Sequence, residues 1–153
     1  MLVENPSVVD NPLRAGLSET RTVTPCIMVI FGATGDLTQR KLLPALYSLA
    51  ADQPPLPANF TVVGVARRPW SDDEFRAYVA DGVKEFARQP YDPALWETFA
   101  KGISYCQVEF DDDAAYQRLT DRLTQLDQER QTDGNRIFYL ATPPRYYDDI
   151  VQR

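Results

Sequence analysis

The sequence predicts an α/β fold, a doubly wound parallel sheet of the Rossmann-like type, and three observations carry that reading. Short apolar runs of strand character alternate with stretches of helical periodicity, in the order strand, helix, strand, helices, strand, helix, strand. That order implies parallel strands joined by right-handed crossovers. At the first strand-to-helix junction stands Gly32-Ala-Thr-Gly35. Glycine lacks a Cβ, so backbone N–H groups there can approach a phosphate closely, and the positive end of the following helix favours the anion.

The elements follow in chain order. Residues 1–24, with Asn5-Pro6, Asn11-Pro12 and Gly16 among scattered charges, read as a flexible arm ahead of a dinucleotide-binding domain over 25–153. A first strand spans Cys26 to Phe31. A first helix spans Asp36 to Ala50, with Leu37, Leu42, Leu43, Leu46 and Leu49 forming its apolar face. Pro54, Pro55 and Pro57 stop that helix, and Phe60 to Ala66 is the second strand. Ser71 and Glu74 have the spacing of a capping box, which opens a helix to about Arg88. A short helix from Pro93 to Lys101 ends at Gly102, and Ile103 to Phe110 alternates like a third strand, more exposed than the others. Asp111-Asp-Asp113 caps a helix from Ala114 to Arg130. After the Asp133-Gly134 turn, Arg136 to Thr142 is a fourth strand, broken by Pro143-Pro144.

Composition narrows the function classes. The chain has 153 residues, about one domain's worth, and 44% hydrophobic residues suffice for a core. Its net charge of −6 argues against nucleic acid or an anionic membrane as partner, so any phosphate site must be local. No run is long enough to span a bilayer and residues 1–24 lack a signal-peptide core, so the chain reads as cytoplasmic. Cys26 and Cys106, inside expected strands, read as small buried hydrophobes. Histidine is absent, which excludes the usual zinc sites and removes the commonest general base. No metal site and no catalytic residue is assigned within this chain.

The nucleotide signal has two parts. The common glycine fingerprint fails, because its three positions would be Gly32, Thr34 and Leu37; the pattern is G-x-x-G with Thr34 between the glycines and Asp36 after them. Its place after the first strand favours a nucleotide. At the end of the second strand, where an acidic residue takes the ribose hydroxyls in NAD-binding folds, this chain has Arg67-Arg68. A guanidinium suits a 2′-phosphate, so NADP is the expected cofactor, with Lys41 as a further nearby charge.

Three blocks together resemble the glucose-6-phosphate dehydrogenase family: G-A-T-G-D-L-T-Q-R-K-L-L-P (Gly32 to Pro44), V-G-V-A-R-R (Val63 to Arg68) and F-Y-L-A-T-P-P-R-Y-Y (Phe138 to Tyr147). The N-P-L-R-x-G-L arm (Asn11 to Leu17) and T-Q-R-K resemble members from cyanobacteria. The resemblance implies oxidation of the C1 hydroxyl of glucose 6-phosphate to the lactone, with hydride passing to NADP⁺ in the oxidative pentose phosphate pathway. It implies that Gly32, Thr34, Gly35, Asp36 and Leu37 line the pyrophosphate turn and that Arg67 binds the 2′-phosphate. Lys41 would lie near a bound phosphate, and Pro143, Pro144 and Tyr147 would flank the cofactor near its nicotinamide. Pro44, inside the first helix, deprives the Arg40 carbonyl of its donor, and the resulting kink is expected to aim Lys41 at the phosphates.

The family's later glutamate-lysine-proline block, its histidine-rich block with the catalytic base and its second α+β domain are not in this sequence. The domain is therefore expected to be incomplete and inactive alone, with homo-oligomer contacts supplied by the second domain. The competing reading is an NADP-sensing regulatory module related to extended short-chain dehydrogenases. Against it, Thr38 stands where their next glycine belongs, and neither Tyr78 nor Tyr147 is followed by a lysine four residues on.

Overall fold

A computed structural model describes residues 23–153 of the chain. The expected arm over 1–24, with its Asn11 to Leu17 block, lies almost wholly outside the described residues. Four strands, β1 (Ile27–Phe31), β2 (Thr61–Ala66), β3 (Ile103–Gln107) and β4 (Arg136–Leu140), form one sheet in the order β3-β2-β1-β4. Every neighbouring pair is parallel, with Ile27 opposite both Thr61 and Arg136. The chain fills the sheet outward from β1 through β2 to β3, then returns to place β4 on β1's other side. The strand order therefore switches between β1 and β4, where a doubly wound sheet opens a crevice at its carboxyl end.

Burial explains the layers. β2 is buried at all six positions, as a central parallel strand covered on both faces must be. On one side Val29, Val63 and Val65 meet Leu119, Leu123 and Leu126 of α4 (Asp113–Arg130). On the other, Ile30 and Val62 meet Leu43 and Tyr47 of α1 (Leu43–Ala51) and Phe75, Val79 and Val83 of α2 (Asp72–Phe86). The Ser71–Glu74 capping box forms in both directions, and α3 (Pro93–Lys101) ends at Gly102 as the sequence indicates. Asp112 alone of the aspartate run caps α4, accepting from the Ala114 amide at 3.0 Å.

Four expectations need correction. β3 ends at Gln107; the Val108 amide still donates to the Ala66 carbonyl of β2 at 3.0 Å, and Val108 and Phe110 are buried in the core beside the cleft described below. β4 ends at Leu140, and β4, not β3, is the most exposed strand: Ile137 is 48% and Phe138 56% exposed on this edge. The first helix is not one regular α-helix: a π-helical turn over Thr38–Leu42, in which the Leu43 N–H reaches back to the Thr38 carbonyl, runs directly into α1, and Pro44 stands at this junction, where a proline disturbs helical regularity. The extra residue in that turn shifts the helical phase. Thr38 faces inward in line with Leu43, both fully buried, while Leu37 and Leu49 of the expected apolar face are 46% and 47% exposed.

Candidate functional site: a cleft at the carboxyl edge of the sheet

The first wall of the cleft is the turn after β1. Gly32 has φ +82°, and a Cβ there would lie 2.5 Å from the Ala141 carbonyl oxygen, so only glycine lets this turn pass against the end of β4. The Gly32 and Ala33 amides both donate to the Val65 carbonyl, at 2.9 and 3.2 Å, which ties the turn to the end of β2. The Gly35 amide donates back to the Gly32 carbonyl at 3.0 Å, and Thr38 Oγ1 donates to the same oxygen at 3.3 Å. Helical structure begins at Asp36, whose exposed carboxylate pairs with Arg40 one turn on at 3.7 Å. The first amides of this helical stretch have no intrahelical acceptor and point back across the turn.

The second wall is the loop after β2. Its backbone is fixed from β3: Tyr105 Oη donates to the Arg68 carbonyl at 2.7 Å, and Gln107 Nε2 to the Arg67 carbonyl at 3.1 Å. Burial pushes the Tyr105 hydroxyl up to about 12 against the opposing charge of Arg68, so it stays a protonated donor. With the main chain held, the guanidinium groups project from it. Arg67 lies 5.9 Å from the Tyr146 ring centre and Arg68 5.2 Å from that of Trp70.

The third wall follows β4. The Ala141 amide donates to the Phe31 carbonyl at 2.9 Å, then Thr142-Pro143 leads into a 3₁₀ turn over Pro144–Tyr146 and α5 (Tyr147–Val151). Arg145 lies 4.8 Å from the Tyr146 ring and donates to its hydroxyl at 3.1 Å, and Tyr146 packs edge-on against Phe110 at 5.3 Å. Thr142 is only 9% exposed, and its hydroxyl meets no hydrogen-bond partner among the described residues. A buried hydroxyl left without a partner costs about 1–3 kcal/mol.

The walls enclose a cleft of about 460 Å³. Of the residues singled out from sequence it brings together Gly32, Thr34, Gly35, Arg67, Arg68 and Pro143. Asp36, Leu37, Lys41, Pro144 and Tyr147 do not line it: Lys41 is exposed on the π-helical turn, and Tyr147 starts α5 at 38% exposure. Phe110, Thr142, Arg145 and Tyr146 line it and were missed. Arg145 and Tyr146 carried a usable signal, standing directly after the proline break that ends β4. Phe110 carried none, since its place in the cleft depends on where β3 leaves the sheet. The two thiols are both free and both pushed up by burial; Cys26 is buried and Cys106 half-buried.

A parallel sheet of this order, with a glycine turn and guanidinium groups meeting at its carboxyl edge, defines a nucleotide-binding domain of the doubly wound class. The family described as glucose-6-phosphate dehydrogenase, NAD binding domain, matches residues 29–153, and the chain belongs to that family. It is 47% identical over 137 residues to a glucose-6-phosphate 1-dehydrogenase of Chlamydia pneumoniae, covering 90% of this chain and 27% of that protein. A glucose-6-phosphate 1-dehydrogenase 2 of Mycobacterium bovis is 42% identical over 145 residues, 94% of this chain and 28% of the relative. A solved glucose-6-phosphate dehydrogenase in complex with its substrate glucose-6-phosphate superposes with a TM-score of 0.73 at 30% identity, over 88% of this chain and 28% of that one. The chain thus spans about a quarter of the length of the relatives it matches.

Proposed function

We propose that this chain is the NADP-binding part of a glucose-6-phosphate dehydrogenase, which oxidises glucose 6-phosphate to 6-phosphogluconolactone and passes the hydride to NADP⁺ in the cytoplasm. The observation that carries the choice of cofactor is the pair Arg67-Arg68 on the cleft wall after β2, where an acidic residue would favour a free 2′-hydroxyl. The turn at Gly32 to Gly35 would receive the pyrophosphate, Arg67 the 2′-phosphate, and Pro143 with its neighbours the nicotinamide end. Asp36, Leu37, Lys41, Pro144 and Tyr147 do not line this cleft and would reach the cofactor through backbone atoms or side-chain movement. The bound cofactor would supply the hydride acceptor; the residues of this chain bind and orient it.

The substrate assignment is supported by the relatives, whose names state that activity. No histidine is present to act as base, so the chain alone is expected to form no NADPH from glucose 6-phosphate, and oligomer contacts are assigned to the remainder of the family's length. Titrating the Arg67→Ala variant calorimetrically tests the cofactor reading. Binding of NADP⁺ should weaken by roughly 1–3 kcal/mol, as for a lost charged hydrogen-bonding partner, while NAD⁺ binding changes little. Equal losses for the two would remove Arg67 from the 2′-phosphate.

A further inference from the structure

We infer that Tyr78 is a positioning residue for the pyrophosphate turn, an inference that rests on the NADP reading of the cleft. Its hydroxyl donates to the Thr34 carbonyl at 3.0 Å and lies 3.3 Å from the Gly35 carbonyl, more than forty residues away in sequence. The peptide bonds here are trans, and a trans peptide holds its C=O and N–H in opposite directions. Tyr78 holds the Thr34 carbonyl and, with the Gln39 amide that donates to it at 3.2 Å, the Gly35 carbonyl, which directs the following amides, of Gly35 and Asp36, away from those donors. The Gly35 amide closes the turn on the Gly32 carbonyl at 3.0 Å, which leaves the Asp36 amide facing out at the helix start, where an anion is favoured.

The placement of Tyr78 is built into the packing. One turn further along α2, a Cβ on Gly82 would lie 2.6 Å from the Gln39 carbonyl oxygen, so glycine lets α2 press against the same helical turn. The Tyr78 ring is held by Trp70 at 5.1 Å and Phe75 at 6.4 Å between ring centres. Trp70 in turn carries the Arg68 guanidinium. Burial raises the Tyr78 hydroxyl above its ordinary range, so it is a donor at every pH at which the protein would be assayed. Tyrosine is suited to this task because the aromatic packing fixes where its hydroxyl oxygen lies.

The Tyr78→Phe variant removes the hydroxyl and keeps the ring. Calorimetric titration of wild type and variant with NADP⁺ and with adenosine 2′-monophosphate, which lacks the pyrophosphate, separates positioning from general stability. The expected result is NADP⁺ binding weakened roughly 3- to 10-fold, the worth of one hydrogen bond, with binding of the 2′-monophosphate unchanged. Unchanged binding of both ligands overturns the inference. So does an equal loss for both, which would show a structural role or a misfolded variant, and the melting temperature distinguishes those two. A wild-type chain that binds neither ligand overturns the NADP reading itself, and this inference with it.

Discussion

At Gly32 and Gly35 the same residue type is required for two different reasons. Gly32 has a positive φ and sits against the Ala141 carbonyl, so its constraint comes from the protein itself. Gly32→Ala should destabilise the fold by roughly 1–3 kcal/mol from backbone strain alone, read by urea unfolding, with or without nucleotide. A Cβ on Gly35 would meet only the Gly32 carbonyl oxygen at 3.1 Å, and φ there is not positive. Gly35→Ala should therefore unfold within about 1 kcal/mol of wild type yet lose nucleotide affinity, because the added methyl occupies the approach of the phosphates. A Gly35→Ala variant that binds NADP⁺ as wild type does would assign both glycines to folding. Sequence could mark the pair but could not separate them, since the distinction lies in contacts with β4, more than a hundred residues away.

The turn joining α4 to β4 is fixed by one carboxylate. Asp127 accepts from Thr132 Oγ1 at 2.6 Å and from Arg136 Nε at 3.0 Å. Burial alone would raise the Asp127 pKa, but the bonds from Thr132, Arg136 and the Gly134 amide outweigh it and the net shift is downward. A depressed carboxyl pKa contributes stability above the unfolded value, about 4, and that contribution is lost as pH falls through the folded value. Asp127→Asn should accordingly be less stable than wild type at pH 7, and the gap should close on acidification below about pH 4 in urea unfolding series. A gap that stays constant with pH would mean the charge is not what holds the turn. Elements themselves were largely legible: periodicity located each helix and strand to within a few residues, and the capping box gave the start of α2. What periodicity could not show was the π-helical turn before Pro44. It inserts a residue's worth of phase and moves Leu37 outward, and nothing in a regular 3.6-residue pattern signals that.

Across the whole molecule, a chain of net charge −6 gathers Arg67, Arg68 and Arg145 around one cleft at the carboxyl edge of its sheet. Overall charge would repel an anionic cofactor, so the affinity must come from these groups and the turn's amides at close range. The switch point between β1 and β4 places them; the order of strands and helices foretold a parallel doubly wound sheet, but the strand order itself comes from the fold. The third wall was not: Phe110 and Tyr146 meet only because β3 ends early and the segment after β4 folds over it. Sequence thus supplied two walls by motif and the third by resemblance, and the cationic rim at Arg145 emerges only when all three are assembled. The most direct test is calorimetric titration of the wild-type chain with NADP⁺ and NAD⁺ under identical conditions. Clearly tighter binding of NADP⁺ is expected; equal affinity for the two, or a preference for NAD⁺, would contradict the assignment of Arg67 and Arg68 to the 2′-phosphate.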